Sequence, residues 1–216
     1  DANPFGQTGQ SNLTDLSSPV QVGALTTWTD LSLGSSNTAG ITAGKLYMWG
    51  SGANGQNGGG NTTNTSSPVQ VGTDTDWRSV QTGNGTTLAT KTDGTLWGWG
   101  SNAFGELANE TTTARSSPVQ IGTLTDWGTA SDLGGGSSSI SISWPKTDGT
   151  MWVWGYNLNA TLGIGDTTHR SSPVQLGTRT DFSQCSITTN TGHWVDTAGV
   201  MTASGVGGTN GLIGNG

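Results

Sequence analysis

A five-residue phrase, Ser-Ser-Pro-Val-Gln, recurs four times in this chain at a nearly constant spacing. The copies begin at Ser17, Ser66, Ser116 and Ser171, which lie 49, 50 and 55 residues apart. A fixed period of about 50 residues is typical of tandem-repeat proteins, in which each unit buries its apolar side against its neighbours. The phrases divide the chain into units of approximately 17–65, 66–115, 116–170 and 171–216, with 1–16 as the tail of a preceding unit.

The second unit shows the expected local structure most clearly. Its phrase leads into an extended segment, because Pro68 suits the start or the edge of a strand. Asp93-Gly94 predicts a hairpin with a type I′ turn, in which both central residues have positive φ. The returning strand covers 95–100, and Trp97 and Trp99 share one face of it because they are two residues apart.

Three or four short strands in each unit predict an all-β fold, a β-propeller built from four blade repeats of about 50 residues. The 37 glycines and the absence of a 3.6-residue apolar period argue against helices. A β-solenoid would have a shorter period and no Asp-Gly hairpins. Only 10% of residues are charged, but ten Trp at repeating positions favour a folded protein over a disordered one. We interpret 1–216 as a single propeller domain or segment.

The third unit is five residues longer than the second. Gly122 and Gly149 are 27 residues apart, whereas the equivalent Gly72 and Gly94 are 22 apart. We place the surplus in the Gly/Ser stretch around 134–143. It is either a loop elaboration on one face, where repeat proteins often bind partners, or neutral drift in loop length.

The charge balance excludes several classes of partner. The net charge is −7, and there are only seven Lys and Arg residues. A nucleic-acid-binding protein needs a basic face to neutralise phosphates, so we expect no nucleic-acid partner. No stretch approaches the roughly 18 apolar residues that cross a bilayer, so we expect no membrane insertion. No signal peptide is visible.

Signals for catalysis or metal binding are weak, and we predict that the chain is not an enzyme. His169 and His193 are isolated, and no His/Cys cluster with metal-ligand spacing is present. Cys185 is the single cysteine, which we expect in the core rather than as a reactive thiol. The sequence therefore assigns no catalytic, cofactor-binding or metal-binding residue and no cofactor.

Two recurring residue types have both a structural and a functional interpretation. An Asp precedes the aromatic residue that opens three of the units, at Asp76, Asp126 and Asp181. Turn capping explains these residues better than catalysis or calcium binding. The Trp residues could stack on sugars, but packing between blades is the stronger interpretation because they lie inside the strand pattern.

At these positions the chain resembles the regulator of chromosome condensation repeat family. The residues that carry the resemblance are Trp77, Gly83, Asp93-Gly94, the run 96–100 (Leu-Trp-Gly-Trp-Gly), and the run 102–105 that starts with Asn and ends with Gly. The resemblance extends over essentially the whole chain. It implies a β-propeller, commonly seven-bladed, with four antiparallel strands in each blade.

The chain departs from the family pattern in two ways. Many members have a His-Ser pair in the second strand, where this chain has Gly-Thr-Thr at 85–87 and Gly-Ser-Ser at 136–138. Four repeats are also fewer than seven. Residues 5–9 and 211–214 are equivalent segments, so both ends fall at the same phase of the unit. We expect a section of a larger ring, or units that a partner chain completes.

Three functions remain open at this point. The first is a structural or binding propeller on an extracellular or virion surface, in a bacterial or phage-like member of the family. It would mediate protein-protein contact with protein partners or further copies of itself. The second is a carbohydrate-binding, lectin-like propeller with a glycan as its partner. The third is guanine-nucleotide exchange or chromatin binding, which the acidic charge disfavours.

Overall fold

The computed structural model describes residues 3–129 and 140–206, and all regular secondary structure in these ranges is β-strand. Each strand is five or six residues long. The fourteen strands are β1 (Trp28–Leu33), β2 (Asn37–Thr42), β3 (Lys45–Gly50), β4 (Thr65–Gln70), β5 (Trp77–Thr82), β6 (Thr86–Lys91), β7 (Leu96–Gly100), β8 (Arg115–Gln120), β9 (Ser141–Pro145), β10 (Met151–Gly155), β11 (Arg170–Gln175), β12 (Phe182–Ile187), β13 (Thr191–Asp196) and β14 (Met201–Gly205).

The strands form four antiparallel sheets, each with its strands in chain order. They are β1–β4, β5–β8, β9–β11 and β12–β14. This arrangement of consecutive meanders is that of propeller blades. The predicted all-β propeller is confirmed, and we number its blades one to four. Within the described residues, the third blade has its second to fourth strands and the fourth blade its first to third strands.

The repeated phrase closes the blade that precedes it. Strands β4, β8 and β11 contain the second, third and fourth copies, and each pairs with the third strand of the unit before it. The equivalent pairs are Met48 with Val69, Gly98 with Val119, and Val153 with Val174. Proline fits here because a strand at the edge of a sheet needs fewer donors. Each blade thus takes its fourth strand from the following repeat.

The hairpins between second and third strands form as expected, but the predicted type I′ turn at Asp93-Gly94 is wrong. Only Gly94 has positive φ, at 80°, and its N–H donates to the carbonyl of Lys91 at 3.0 Å. This is a type I turn followed by a left-handed glycine, which three-residue hairpin loops favour. The type I′ geometry occurs in the first blade, where Ala43 and Gly44 have φ of 50° and 72°.

The core lies between the blades. In the first layer, residues of blade one pack against residues of blade two: Ala39, Ile41, Leu46, Met48 and Val71 against Trp77, Val80, Ala89 and Trp99. Two similar layers follow along the chain. Cys185 is buried in the third layer, as expected. Seven of the ten Trp side chains are buried, which confirms packing as their role: Trp49, Trp77, Trp99, Trp127, Trp144, Trp154 and Trp194.

The first strands of adjacent blades are also joined by hydrogen bonds. Asp30 Oδ2 accepts from the N–H of Val80 at 2.8 Å, and Ser32 Oγ accepts from the N–H of Thr82 at 2.9 Å. Because side chains of one strand reach the backbone of the next, the first strands converge on the inner edge of the fold. The third-to-fourth-strand loops then project at one face, and the second-to-third-strand turns at the other.

The longer third unit is only partly described. We predict the five extra residues in a loop around 134–143. This loop ends earlier than predicted, because Ser141 to Ser143 belong to β9. Residues 130–139, which contain the rest of that stretch, lie outside the described residues. Ile140 follows them, and its carbonyl accepts from the N–H of Tyr156 at 2.9 Å.

Candidate functional site

The loops between third and fourth strands are held rigidly by the next blade. In two of them the indole N–H of a buried Trp donates to a loop carbonyl: Trp99 to Gln56 at 2.8 Å and Trp154 to Glu106 at 2.7 Å. In the equivalent segment before blade one, the carbonyl of Gln7 accepts from Trp49 at 2.9 Å. These bonds fix each loop across the layer between two blades. Side chains on such loops are suited to recognition, because little order is lost when a partner binds.

Three aromatic rings meet on this face where the second and third blades join. Phe104 lies 5.2 Å from Tyr156 and 5.1 Å from His169, and both contacts are edge-to-face. Tyr156 and His169 stack with ring centroids 5.1 Å apart. All three side chains are half-buried, so part of each ring faces solvent. We call these three residues the loop-face aromatic cluster.

The backbone and one ion pair hold His169 in the cluster. Its Nδ1 accepts from the N–H of Asn157 at 3.0 Å. On the other side of His169, Arg170 pairs with Asp166 at 2.5 Å. The Thr168 N–H, and then Arg170, hold the pKa of Asp166 below its usual range. Asn157 Nδ2 donates to the carbonyls of Asp166 and Thr168, which closes the loop around the imidazole.

A fully buried carboxyl group lies beside this cluster. Glu106 Oε2 accepts from the N–H of Phe104 at 2.8 Å, whereas Oε1 has no hydrogen-bond partner among the described residues. Burial raises the pKa of Glu106 above its ordinary value. In the equivalent loops the residue is Gln7 or Gln56. Sequence reasoning missed this residue, although a Glu in the place of the repeated Gln was a visible signal.

A second polar cluster recurs near the opposite face, between the first and second strands. Lys91 is buried and pairs with Asp74 at 2.6 Å and Asp76 at 3.2 Å. Its ammonium group also lies 4.9 Å from the ring centroids of Trp77 and Trp97. Burial lowers the pKa of Lys91, but the hydrogen bonds to the two carboxylates outweigh it, and the pKa is raised overall.

The third blade repeats this arrangement with Lys146 and Asp126, 3.2 Å apart. The expected turn-capping role of Asp76 and Asp126 is therefore wrong, because their carboxylates pair with lysines. The turns are capped by Asp93 and Asp148, which accept from the N–H of Thr95 at 3.0 Å and of Thr150 at 2.9 Å. Asp181 likewise forms an ion pair, with Arg179.

In the fourth blade the charges at these positions are exchanged. Asp196 takes the place of Lys91, and Arg179 takes the place of Asp74; the two form a salt bridge. In the first blade the equivalent pair is neutral, since Thr27 and Thr42 share a hydrogen bond of 2.8 Å. All four blades therefore join the same two segments, blades two and three by a Lys–Asp pair, blade four by an Arg–Asp pair and blade one by two threonines. This cluster stabilises each blade and has no feature that points to a ligand.

A groove between the second and third blades is a further concave feature. Its volume is about 450 Å³, and Leu124, Trp127, Trp152 and Pro173 line it. Trp152 is half-buried, and Lys146 Nζ lies 4.6 Å from its ring centroid. The groove therefore offers one partly exposed indole face.

The structure places the two histidines apart, with His193 in β13 and His169 in the aromatic cluster. Within residues 3–129 and 140–206, no group of three His, Cys, Asp or Glu residues could hold a metal ion. In the same ranges no helix is long and apolar enough to cross a membrane.

The sheets and the repeated motifs agree with one family. The family model described as "Regulator of chromosome condensation (RCC1) repeat" matches residues 43–90 and 93–138, and a second model with that description matches 77–106. The chain contains RCC1 repeats, and its sheets form a β-propeller. The matched residues include the Asp-Gly hairpin and the Trp-Gly-Trp-Gly strand of the second blade. No curated protein sequence matches this RCC1-repeat chain.

Solved structures show the same fold. Human WBSCR16 is 21% identical and has a TM-score of 0.71; the match covers 94% of the RCC1-repeat chain and 55% of WBSCR16. Yeast RCC1 (Prp20), in its structure with Kap60, is 17% identical with a TM-score of 0.72. That match covers 83% of the RCC1-repeat chain and 44% of the yeast protein. The chain thus spans about half the length of these relatives.

Proposed function

We propose that this RCC1-repeat chain is a non-enzymatic binding propeller that mediates protein-protein contact through its loop-face aromatic cluster. The observation that carries the proposal is the half-buried cluster of Phe104, Tyr156 and His169. The next blade holds both of its loops, because the Trp154 indole N–H donates to the Phe104 loop and the Thr161 hydroxyl of the other loop donates to Thr189. Aromatic side chains dominate binding energy at protein interfaces, and rigid ones lose little entropy on binding.

The relatives support proteins as the class of partner. Prp20p from Saccharomyces cerevisiae has binding properties to Gsp1p and histones. Those contacts belong to the yeast protein. The chain here has a net charge of −7, which favours a neutral or basic protein surface over nucleic acid.

We place this binding propeller on an extracellular or virion surface, in a bacterial or phage-like source. The support is compositional: Lys is scarce, Thr, Ser, Asn and Gly are abundant, and the Ser-Ser-Pro-Val-Gln phrase is identical in all four copies. Immunogold labelling of intact source cells or particles tests this location. Labelling that needs permeabilised cells contradicts it.

The binding proposal is tested with a double substitution, Phe104→Ala with Tyr156→Ala. The matched control is Phe5→Ala, which removes the equivalent Phe of an earlier loop that has no Tyr/His stack. Surface proteins from the source, biotinylated and applied to immobilised chain, should bind the parent chain and the control. They should bind the double variant at least tenfold more weakly, a loss typical of removing anchor residues.

Equal binding by all three proteins contradicts the assignment to the cluster. A glycan array with the same samples tests the carbohydrate-binding alternative, which the groove with its half-buried Trp152 favours. Glycan binding that Trp152→Ala abolishes would overturn protein-protein contact as the function.

A further inference from the structure

One hydrogen bond closes the loop that ends at His169. The Nδ1 atom of His169 accepts from the N–H of Asn157, twelve residues earlier, at 3.0 Å. The equivalent loop of blade one is closed in the same way, because Asn64 Oδ1 accepts from the N–H of Gly52 at 2.9 Å. We call this bond, between a side-chain acceptor and the N–H at the start of its loop, the loop latch.

The latch position accepts a hydrogen bond in a third segment and has no acceptor in a fourth. Before blade one, Asp15 Oδ1 accepts from the N–H of Asn3 at 2.7 Å. In blade two the position is Ala114, which has no side-chain acceptor. That loop is still closed by Asn102, whose Nδ2 donates to the carbonyl of Thr111 at 3.0 Å. The latch therefore fixes one end of a loop that stays closed without it.

His169 differs from the other latch residues because its acceptor can be lost. A histidine changes its charge between pH 5 and 8. The neutral ring accepts through Nδ1 while its proton is on Nε2, whereas the imidazolium ion carries a proton on both nitrogens. Since the N–H of Asn157 can only donate, protonation of His169 places two N–H groups against each other and ends the latch. The amide side chain of Asn64 keeps its acceptor throughout this pH range.

The charged groups around His169 are engaged with other partners. On its own loop, Asp166 and Arg170 form an ion pair. On the facing loop, Glu106 is fully buried and accepts from the backbone, and Glu110 is exposed. Among the described residues, no carboxylate is hydrogen-bonded to either ring nitrogen of His169. No such bond therefore holds the protonated ring in its place.

We propose that His169 makes the loop-face aromatic cluster sensitive to pH. Protonation breaks the latch, the imidazole leaves its stack with Tyr156 and its contact with Phe104, and the protein-protein contact weakens. Both neighbouring rings lie 5.1 Å from the imidazole, so a ring that turns away from Asn157 disturbs both contacts. The blade stays folded, as the loop with Ala114 shows. This regulation rests on the proposed function of the cluster: the contact forms at neutral pH and is released in acidic surroundings.

Hydrogen exchange of the Asn157 N–H, followed by NMR, tests the latch in the chain alone, with no partner present. In the parent, the protection factor should fall by about tenfold between about pH 7.5 and about pH 5, the change expected for loss of one hydrogen bond. His169→Asn copies Asn64 and should show equal protection at both pH values. His169→Ala copies Ala114 and should show the low protection at both.

Two controls separate the latch from other effects of pH. The N–H of Gly52, which Asn64 holds, should keep its protection in every sample, so a general loosening of the fold at acid pH would be visible there. Glu106→Gln removes the other titrating group of the cluster, and the pH effect on Asn157 should persist in it.

Binding of the biotinylated surface proteins to immobilised chain tests the consequence. The ratio of binding at about pH 7.5 to binding at about pH 5 should be about tenfold larger for the parent than for His169→Asn. The ratio is the readout because the substitution also removes a ring from the cluster, which lowers binding at both pH values. Any titration of the surface proteins affects both samples alike.

Equal protection of Asn157 at both pH values in the parent overturns the latch, and so does a loss of protection that persists in His169→Asn. Binding that weakens equally in the parent and in His169→Asn overturns the regulation. An absence of binding at both pH values contradicts the proposed function instead, and a pH-dependent latch in the isolated chain is then observed without it.

Discussion

Glu106 has a carboxyl oxygen where the glutamines at the equivalent repeat positions have an amide nitrogen. Its neighbours in the repeat are glutamines, and Gln56 Oε1 accepts from the N–H of Asn54 at 2.7 Å just as Glu106 Oε2 accepts from Phe104. A carboxylate in this buried position has lost its hydration and keeps one oxygen without a hydrogen-bond partner among the described residues. The raised pKa of Glu106 means that the neutral acid is favoured more in the folded state than in the unfolded state.

We expect Glu106→Gln to stabilise the chain at pH 7 by about 1–3 kcal/mol, the cost of an unsatisfied buried group. The pKa is raised in the folded state, so the parent loses stability as the pH rises from the unfolded value towards and through the folded one. The stability gained through Glu106→Gln should therefore shrink towards zero when the pH falls below the ordinary glutamate pKa. Thermal unfolding at a series of pH values measures it.

The reverse change, Gln56→Glu, is the matched control. This substitution should lower the melting temperature at pH 7, and the melting temperature should return towards that of the parent at acid pH. A difference between parent and Glu106→Gln that does not vary with pH would rule out ionisation as its cause.

At the scale of the strand pair, the sequence predicts where hairpins lie better than it predicts which side chains pair with each other. The hairpins were predictable because Asp-Gly lies between two apolar runs. The turn type was not, because one left-handed glycine also suits a three-residue loop. The Lys91 cluster was missed for another reason: Asp76 and Lys91 are fifteen residues apart and meet only when β5 pairs with β6.

The exchanged charges in blade four give a direct test of this cluster. Lys91→Asp leaves like charges together and should destabilise the chain by about 1–3 kcal/mol, as for a buried charge without its partner. Adding Asp74→Arg recreates the pair formed by Arg179 and Asp196, and should recover more than half of the loss. Urea denaturation of the four proteins of the cycle gives the coupling energy. Strictly additive effects would show that the two positions do not interact.

At the scale of the whole molecule, the period of the phrase predicted the fold, because only stacked units can bury faces that repeat every 50 residues or so. The pairing of each phrase with the preceding blade could not be read from the repeat, since any starting point describes a periodic sequence equally well. The loop-face aromatic cluster was also not predictable. Phe104 and His169 come from different units and meet only across two blades.

The segment before blade one, residues 1–22, covers the side chain of Trp49. Trp49 is buried by residues 7, 9 and 22, and its indole N–H donates to Gln7. Deleting residues 1–22 should expose this ring and shift the tryptophan emission to longer wavelength. Loss of the contacts between this segment and Trp49 should also lower the free energy of unfolding by about 3 kcal/mol or more.

Trp49→Phe in the full chain serves as the control for this deletion, because it removes the reporter and keeps the segment. An unshifted emission spectrum after the deletion would mean that other residues cover the ring.

The offset between phrase and blade has a consequence for synthesis on the ribosome. Each blade is finished by residues of the following unit, so between one phrase and the next the nascent chain carries one blade with an open outer edge. Strand β7, for example, gains its neighbour only when β8, fifteen residues later, has emerged. Translation pauses after a phrase therefore leave complete sheets behind, whereas pauses just before one leave an edge that can pair with a neighbouring nascent chain.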